Sequence, residues 1–117
     1  MTADDPGTIY HNPRCSTSRK TLDLLRDNGI EPTIVEYLKT PPSRAELAEM
    51  IRSAGIGVRD AVRTGEAVYA ELNLAGASDD ELLDAMVAHP ILIQRPFVVT
   101  GKGTRLARPI DAVREIL

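Results

Sequence analysis

Cysteine is almost missing from this sequence: Cys15 is the single one in 117 residues. An internal disulfide and an all-cysteine metal site are therefore excluded. A mixed zinc site would have to combine Cys15 with both histidines, His11 and His89, and a carboxylate, so no metal is expected. Tryptophan is absent, and Tyr10, Tyr37, Tyr69 and Phe97 are the only aromatics. With a net charge of -3, that leaves neither a stacking platform nor a broad basic patch for nucleic acid. Long apolar runs are lacking too. Stretches such as Pro90-Ile91-Leu92-Ile93 fall far short of a bilayer span, so no membrane partner is expected. The opening Met1-Thr2-Ala3-Asp4-Asp5 is acidic where a secretory signal is basic, which points to the cytoplasm.

What the chain does hold is enough for a core: 43% of residues are apolar and 26% charged. This size and composition fit one globular domain over residues 1–117, with 1–7 as a flexible N-terminal segment. The acids are unevenly placed. Residues 6–22 and 85–110 contain no Asp or Glu, yet carry Arg14, Arg19, Lys20, Arg95, Lys102, Arg105 and Arg108. Such runs are usually solvated faces; the functional reading is that the two windows meet around an anion.

Thr8-Ile9-Tyr10 and Thr33–Tyr37 are β-prone, and between them residues 17–28 carry Leu22, Leu24 and Leu25 before an Asn28-Gly29 stop. Residues 8–37 thus have the length of a βαβ unit. After Pro41-Pro42, the capping box Ser43–Glu46 leads a helix with Leu47, Met50, Ile51 and Ala54 on one face, closed at Gly55. Residues 58–75 read as short helical pieces split at Thr64-Gly65. A second capping box, Ser78–Glu81, opens a helix that must stop near Pro90. Phe97–Thr100, a Gly101-Lys102-Gly103 turn and Thr104–Ala107 form a hairpin, and Pro109 starts a last short helix with Ile110, Val113 and Ile116 on one side. If Leu106 faces the core, alternation turns Arg105 to solvent. The expected fold is α/β and thioredoxin-like: a four-stranded mixed sheet, a parallel pair extended by an antiparallel hairpin, flanked by helices and carrying a helical insert.

Cys15 lies between the first strand and the first helix, where exposed N–H groups and the positive helix end favour a thiolate. A free thiol of pKa about 8.5 is only ~3% ionised at pH 7, whereas one lowered to about 6.5 is ~75% ionised. The helix's first turn holds Arg19 and Lys20 instead of acids, against local preference, which strengthens an anion site. A polar Pro13–Ser18 loop is also a poor place to bury a structural cysteine. His11 could orient this loop, share a partner's charge, or simply cap it.

Tyr10-His11-Asn12-Pro13-Arg14-Cys15-Ser16-Thr17-Ser18-Arg19 resembles the active-site loop of the glutathione- and glutaredoxin-coupled arsenate reductases. So do Ile91–Val99, with its Arg95-Pro96, and Gly103–Pro109, with its Arg108-Pro109; the likeness runs from about Thr8 onward. The resemblance implies a Cys15 nucleophile, supporting positions at His11 and Ser18, and an oxyanion site of Arg63, Arg95 and Arg108. Without it, Arg63 reads as an ordinary solvated helix residue. Three fixed guanidinium groups suit a tetrahedral oxyanion, which each can grip bidentately. Arg95-Pro96 is expected to be the cis peptide that places Pro96 beside the thiol. By the same resemblance, arsenate is the substrate, glutathione or another small thiol the co-substrate, glutaredoxin the protein partner, and the enzyme a monomer with no bound cofactor.

Two other classes fit the same sequence. One is a non-catalytic regulator or adaptor of the Spx type, which usually carries Cys-x-x-Cys; here the second position is Ser18, which favours the enzyme. The other is a glutathione-dependent monothiol oxidoreductase. The phosphatase-like arsenate reductases need an Arg six residues beyond the nucleophile, and that position is Thr21.

Overall fold

In the computed structural model, which describes residues 7–117, Thr8–His11 forms β1 and Thr33–Glu36 forms β2 parallel to it, with Ile9 opposite Ile34. Helix α1, Ser16–Asp27, joins them and ends at Asn28, followed by Gly29 at φ +79°. The hairpin strands β3, Phe97–Thr100, and β4, Gly103–Leu106, complete the sheet. Its order is β2-β1-β3-β4, with β3 antiparallel to both neighbours. This is the expected mixed sheet.

The chain divides into two compact units, one of residues up to 40 with 95–117, and one of residues 41–94. In the first, α1 buries Leu22 and Leu25 with Ile9 and Val98 of the sheet and with Ala107, Val113 and Ile116. Each fully buried aliphatic side chain contributes about 1.5–3 kcal/mol. The last segment, Ile110–Ile116, is a 3₁₀ helix for which Pro109 is the cap residue, not the first helical position. Val113 and Ile116 are buried as expected.

Two readings are corrected here. Arg105 stands opposite Val98, so it lies on the face of the sheet covered by α1 and the 3₁₀ helix. At that edge its Nε donates to Glu115 at 2.8 Å, leaving the side chain 32% exposed. Phe97 and Thr104 on the opposite face are buried as well, so alternation does not separate core from solvent. The second correction concerns the flexible segment placed at 1–7. Residues 1–6 lie outside the described residues, but Gly7 is buried and its carbonyl accepts the Thr33 N–H at 2.9 Å. Its φ of +117° and the 2.6 Å that would separate an added Cβ from the Val99 carbonyl oxygen restrict this position to glycine.

In the second unit, both capping boxes form. Ser43 and Glu46 open α2, Arg44–Ser53, and Ser78 and Glu81 open α4, Asp79–Ala88. Between them the chain makes a 3₁₀ turn at Val58–Ala61, the short helix α3 at Ala67–Glu71 and a second 3₁₀ turn at Leu74–Gly76. Helices α2 and α4 pack together and bury Leu47, Met50 and Ile51 on one and Leu82, Leu83 and Met86 on the other. Arg44 ties them, reaching Asp84 at 2.7 Å and Asp80 at 3.0 Å. Among the described residues no helix is long and apolar enough to cross a membrane.

Candidate functional site

The loop that carries Cys15 is shaped by Asn12. Its carbonyl accepts the Cys15 N–H and its Oδ1 accepts the Arg14 N–H, both at 3.0 Å, folding residues 12–15 into a tight turn. Arg19, one turn into α1, donates from Nη1 to the Pro13 carbonyl at 2.9 Å and braces the loop from outside. Cys15 then occupies the cap position of α1, with extended backbone and its carbonyl taken by the Arg19 N–H.

A cap residue is normally Ser, Thr, Asp or Asn, whose oxygen accepts from the second or third helical N–H. Cys15 closes no such cap bond, yet the Ser18 and Thr17 N–H groups face its sulfur. Partial burial alone would raise the thiol's pKa. The Ser18 N–H, the Arg95 guanidinium and the Thr17 N–H outweigh it, and the net direction is downward. The first turn of α1 contains no acid to oppose this.

Ser18 is fully buried and ties three pieces together. Its Oγ lies 2.7 Å from His11 Nδ1 and accepts the Asn12 N–H at 3.0 Å, while its own N–H favours the thiolate. His11 is buried at the end of β1; burial lowers its pKa, Glu36 pulls it up, and Arg19 and Arg26 lower it further. The net shift is downward, so the ring is neutral at pH 7 and braces the loop without adding charge.

From the other side of the sheet's centre, the segment before β3 brings Arg95. Its Nε and Nη1 are buried with no hydrogen-bond partner among the described residues, an unusual state for a guanidinium. The Arg95-Pro96 peptide is cis, as expected, and Pro96 is buried. Arg108-Pro109 is cis as well, which nothing in the sequence reading anticipated. Arg108 donates from Nε to the Arg95 carbonyl at 3.0 Å and keeps an exposed head. Arg63 belongs to the second unit. There its N–H donates to the Leu92 carbonyl, and its guanidinium pairs with Glu66 at 2.5 Å with both side chains about a quarter exposed. Among the described residues no group of three His, Cys, Asp or Glu side chains is placed to hold a metal.

The sequence matches the ArsC family over residues 10–116. The chain belongs to the ArsC family. It is 62% identical to an arsenate reductase of Rhizobium meliloti over 94% of this chain and 80% of that one. It is 55% identical to one of Escherichia coli K12, over 94% and 79% respectively. A solved arsenate reductase from Vibrio cholerae superposes with a TM-score of 0.90 at 47% identity, covering 95% of this chain and 97% of that one.

In this ArsC protein the structure gives Asn12 and Arg19 loop-shaping roles that the sequence reading did not assign. Asn12 could have been found from its Asn-Pro turn signal, whereas Arg19 was noticed only as charge. The lowered thiol gives a direct expectation: thiolate absorbance titrated against pH should show a midpoint below the free value of about 8.5. A midpoint at or above that value would refute the activated thiolate. The linked stability follows in sign. Because ionisation is easier in the folded protein, the thiolate's contribution is present above the unfolded pKa and is lost as pH falls through the folded one.

Proposed function

We propose that this protein reduces arsenate to arsenite in the cytoplasm, as one arsenate reductase domain over residues 1–117. The observation that carries the reading is the pairing of a pKa-lowered sulfur at the head of α1 with a buried guanidinium, Arg95, whose Nε and Nη1 have no partner among the described residues. A nucleophile beside unsatisfied cationic donors is what attack on a multiply charged oxyanion requires. The names of the curated relatives support the choice of arsenate among oxyanions.

In the proposed sequence the Cys15 thiolate attacks arsenic(V), a sulfur–arsenic bond forms and one oxygen leaves as water. Glutathione or an equivalent small thiol joins the adduct in the same way. A glutaredoxin thiolate then attacks the small thiol's sulfur; the new S–S bond forms as the S–As bond breaks, and its electron pair reduces arsenic(V) to arsenic(III). Hydrolysis releases arsenite and returns the Cys15 thiol. Arg95 and Arg108 hold the oxyanion and offset its charge. Ser18 and His11 keep the loop in register.

The test is arsenate-dependent NADPH oxidation with glutathione, glutaredoxin and glutathione reductase. Turnover is expected with the wild type and none with Cys15→Ser. Wild-type protein that consumes no NADPH in response to arsenate would end this reading.

A further inference from the structure

The chain has three asparagines, and the residue after each decides what its side-chain amide can do. The backbone nitrogen of that next residue can attack the amide carbon and close a five-membered imide ring. Asn12 precedes Pro13, whose nitrogen has no proton to give up. Asn73 precedes Leu74, whose branched side chain crowds the attacking nitrogen. Asn28 precedes Gly29, which has no side chain to stand in the way. Both of these residues are exposed, just past the end of α1 remote from Cys15.

We propose that Asn28-Gly29 is a site of spontaneous deamidation, restrained by the closing turn of α1 and damaging to that turn once made. In the step, the Gly29 nitrogen gives up its proton and bonds to Asn28 Cγ, the Cγ–Nδ2 bond breaks, and the side-chain nitrogen leaves as ammonia. Water then opens the imide at one carbonyl or the other, leaving aspartate or isoaspartate. The fold opposes the attack in several ways at once. Asn28 Nδ2 donates to the Leu24 carbonyl at 2.8 Å, which holds the amide in the helix cap. The Gly29 N–H donates to the Arg26 carbonyl at 3.0 Å, so the attacking nitrogen is occupied. At ψ +17° for Asn28, that nitrogen is also turned away from Cβ, whereas ring closure needs the two on the same side of the Cα–C bond. All these restraints are lost together when the last turn frays, and helix ends open at far lower cost than the whole fold. Ile30 keeps the turn shut: its N–H donates to the Leu25 carbonyl at 2.9 Å, and its side chain packs against the core that α1 covers. The products work against the helix. An aspartate removes the donor to Leu24 and sets a second anion beside Asp27 at the negative end of α1. An isoaspartate also lengthens the main chain by a methylene, which takes the Gly29 and Ile30 bonds out of register.

The test incubates the folded wild-type protein, kept reduced, at neutral and mildly alkaline pH, and follows it by peptide mass mapping and isoaspartyl methyltransferase labelling. Conversion should appear at Asn28, quicken as pH rises, and leave Asn12 and Asn73 intact. In unfolding concentrations of urea at the same pH, the chain should convert about five- to thirtyfold faster, because the turn is then open throughout. Ile30→Ala should speed conversion of the folded protein about threefold or more and leave the rate in urea unchanged. Asn28→Asp, which copies one product, should lower the Tm by a few degrees with the Cys15 titration midpoint unmoved. No conversion at Asn28 after several half-lives of the urea-unfolded chain, equal rates in the two states, or earlier conversion at Asn73 would each overturn the proposal. So would an Ile30→Ala protein that converts no faster than its parent, or an Asn28→Asp protein with the parent's Tm.

Discussion

Given arsenate, thioredoxin, thioredoxin reductase and NADPH, the purified protein is expected to consume no NADPH until a small thiol and its matching redoxin are added. Reduction of arsenic(V) to arsenic(III) takes two electrons, and a single thiolate can form only one bond, to arsenic or to another sulfur. An enzyme with two or three cysteines could finish by closing its own disulfide and passing that to thioredoxin. Cys15 has no internal partner; the residue three positions on is Ser18, whose hydroxyl is engaged by His11 and Asn12. The expected difference is therefore all or none. Sustained turnover with thioredoxin as the only thiol source would sink the mechanism, even in a genuine arsenate reductase.

Replacement of Arg95 by alanine should reduce kcat/KM for arsenate by about ten- to 150-fold, the equivalent of about 1.5–3 kcal/mol for a lost charge-assisted contact. Two of its nitrogens are buried without partners among the described residues, so bound oxyanion would satisfy donors that none of those residues does. Arg95 also favours the Cys15 thiolate, so the same substitution should raise the thiol's pKa. Arg95→Lys keeps the charge but not the planar fork, and should recover the pKa better than the rate. Arg108→Ala should be impaired as well. Arg105→Ala should be nearly silent in turnover, because its head is committed to Glu115 at the sheet edge. Equal losses for Arg105 and Arg108 would show that the oxyanion does not bind where Arg95 points.

Features written in local sequence were the legible ones. The capping boxes at Ser43 and Ser78, the Asn28-Gly29 stop and the hairpin around Lys102 each depend on residues a few positions apart, and each formed. The placement of Cys15 at a helix head followed from the same kind of signal. Arg105 was misread because a two-faced sheet buries both sets of alternating side chains, and the segment that covers it, Ile110–Ile116, is distant in pairing though near in sequence. Ile110–Ile116 itself has a helix-like spacing of apolar residues that a 3₁₀ helix satisfies equally well over two turns. Arg63 carried no local signal: it sits among short helical pieces with Glu66 as its partner, like many solvated arginines. Asn12 and Ser18 were visible as polar residues, but the hydrogen bond from the Asn12 N–H to Ser18 Oγ exists only once β1 and α1 are both in place.

The pairing of β1 with β3 sets a timetable for the thiol during synthesis. Ile9 and Val98 are partners about ninety residues apart, and Arg95 arrives with the later strand. At about 5–20 residues per second, a ribosome exposes Cys15 roughly 4 to 16 seconds before the guanidinium that helps ionise it. Throughout that interval the nascent chain can form α1 but cannot complete the sheet, because the closing contact is non-local. Its sulfur therefore lacks the share of thiolate stabilisation that Arg95 supplies and keeps only what the Ser18 and Thr17 N–H groups of α1 give it. A ribosome-stalled or prematurely terminated product that lacks β3 is correspondingly slower than the finished protein to react with peroxide or disulfides. Completion of the fold adds the last share of nucleophilicity, so unfinished copies are less open to oxidation than the finished enzyme.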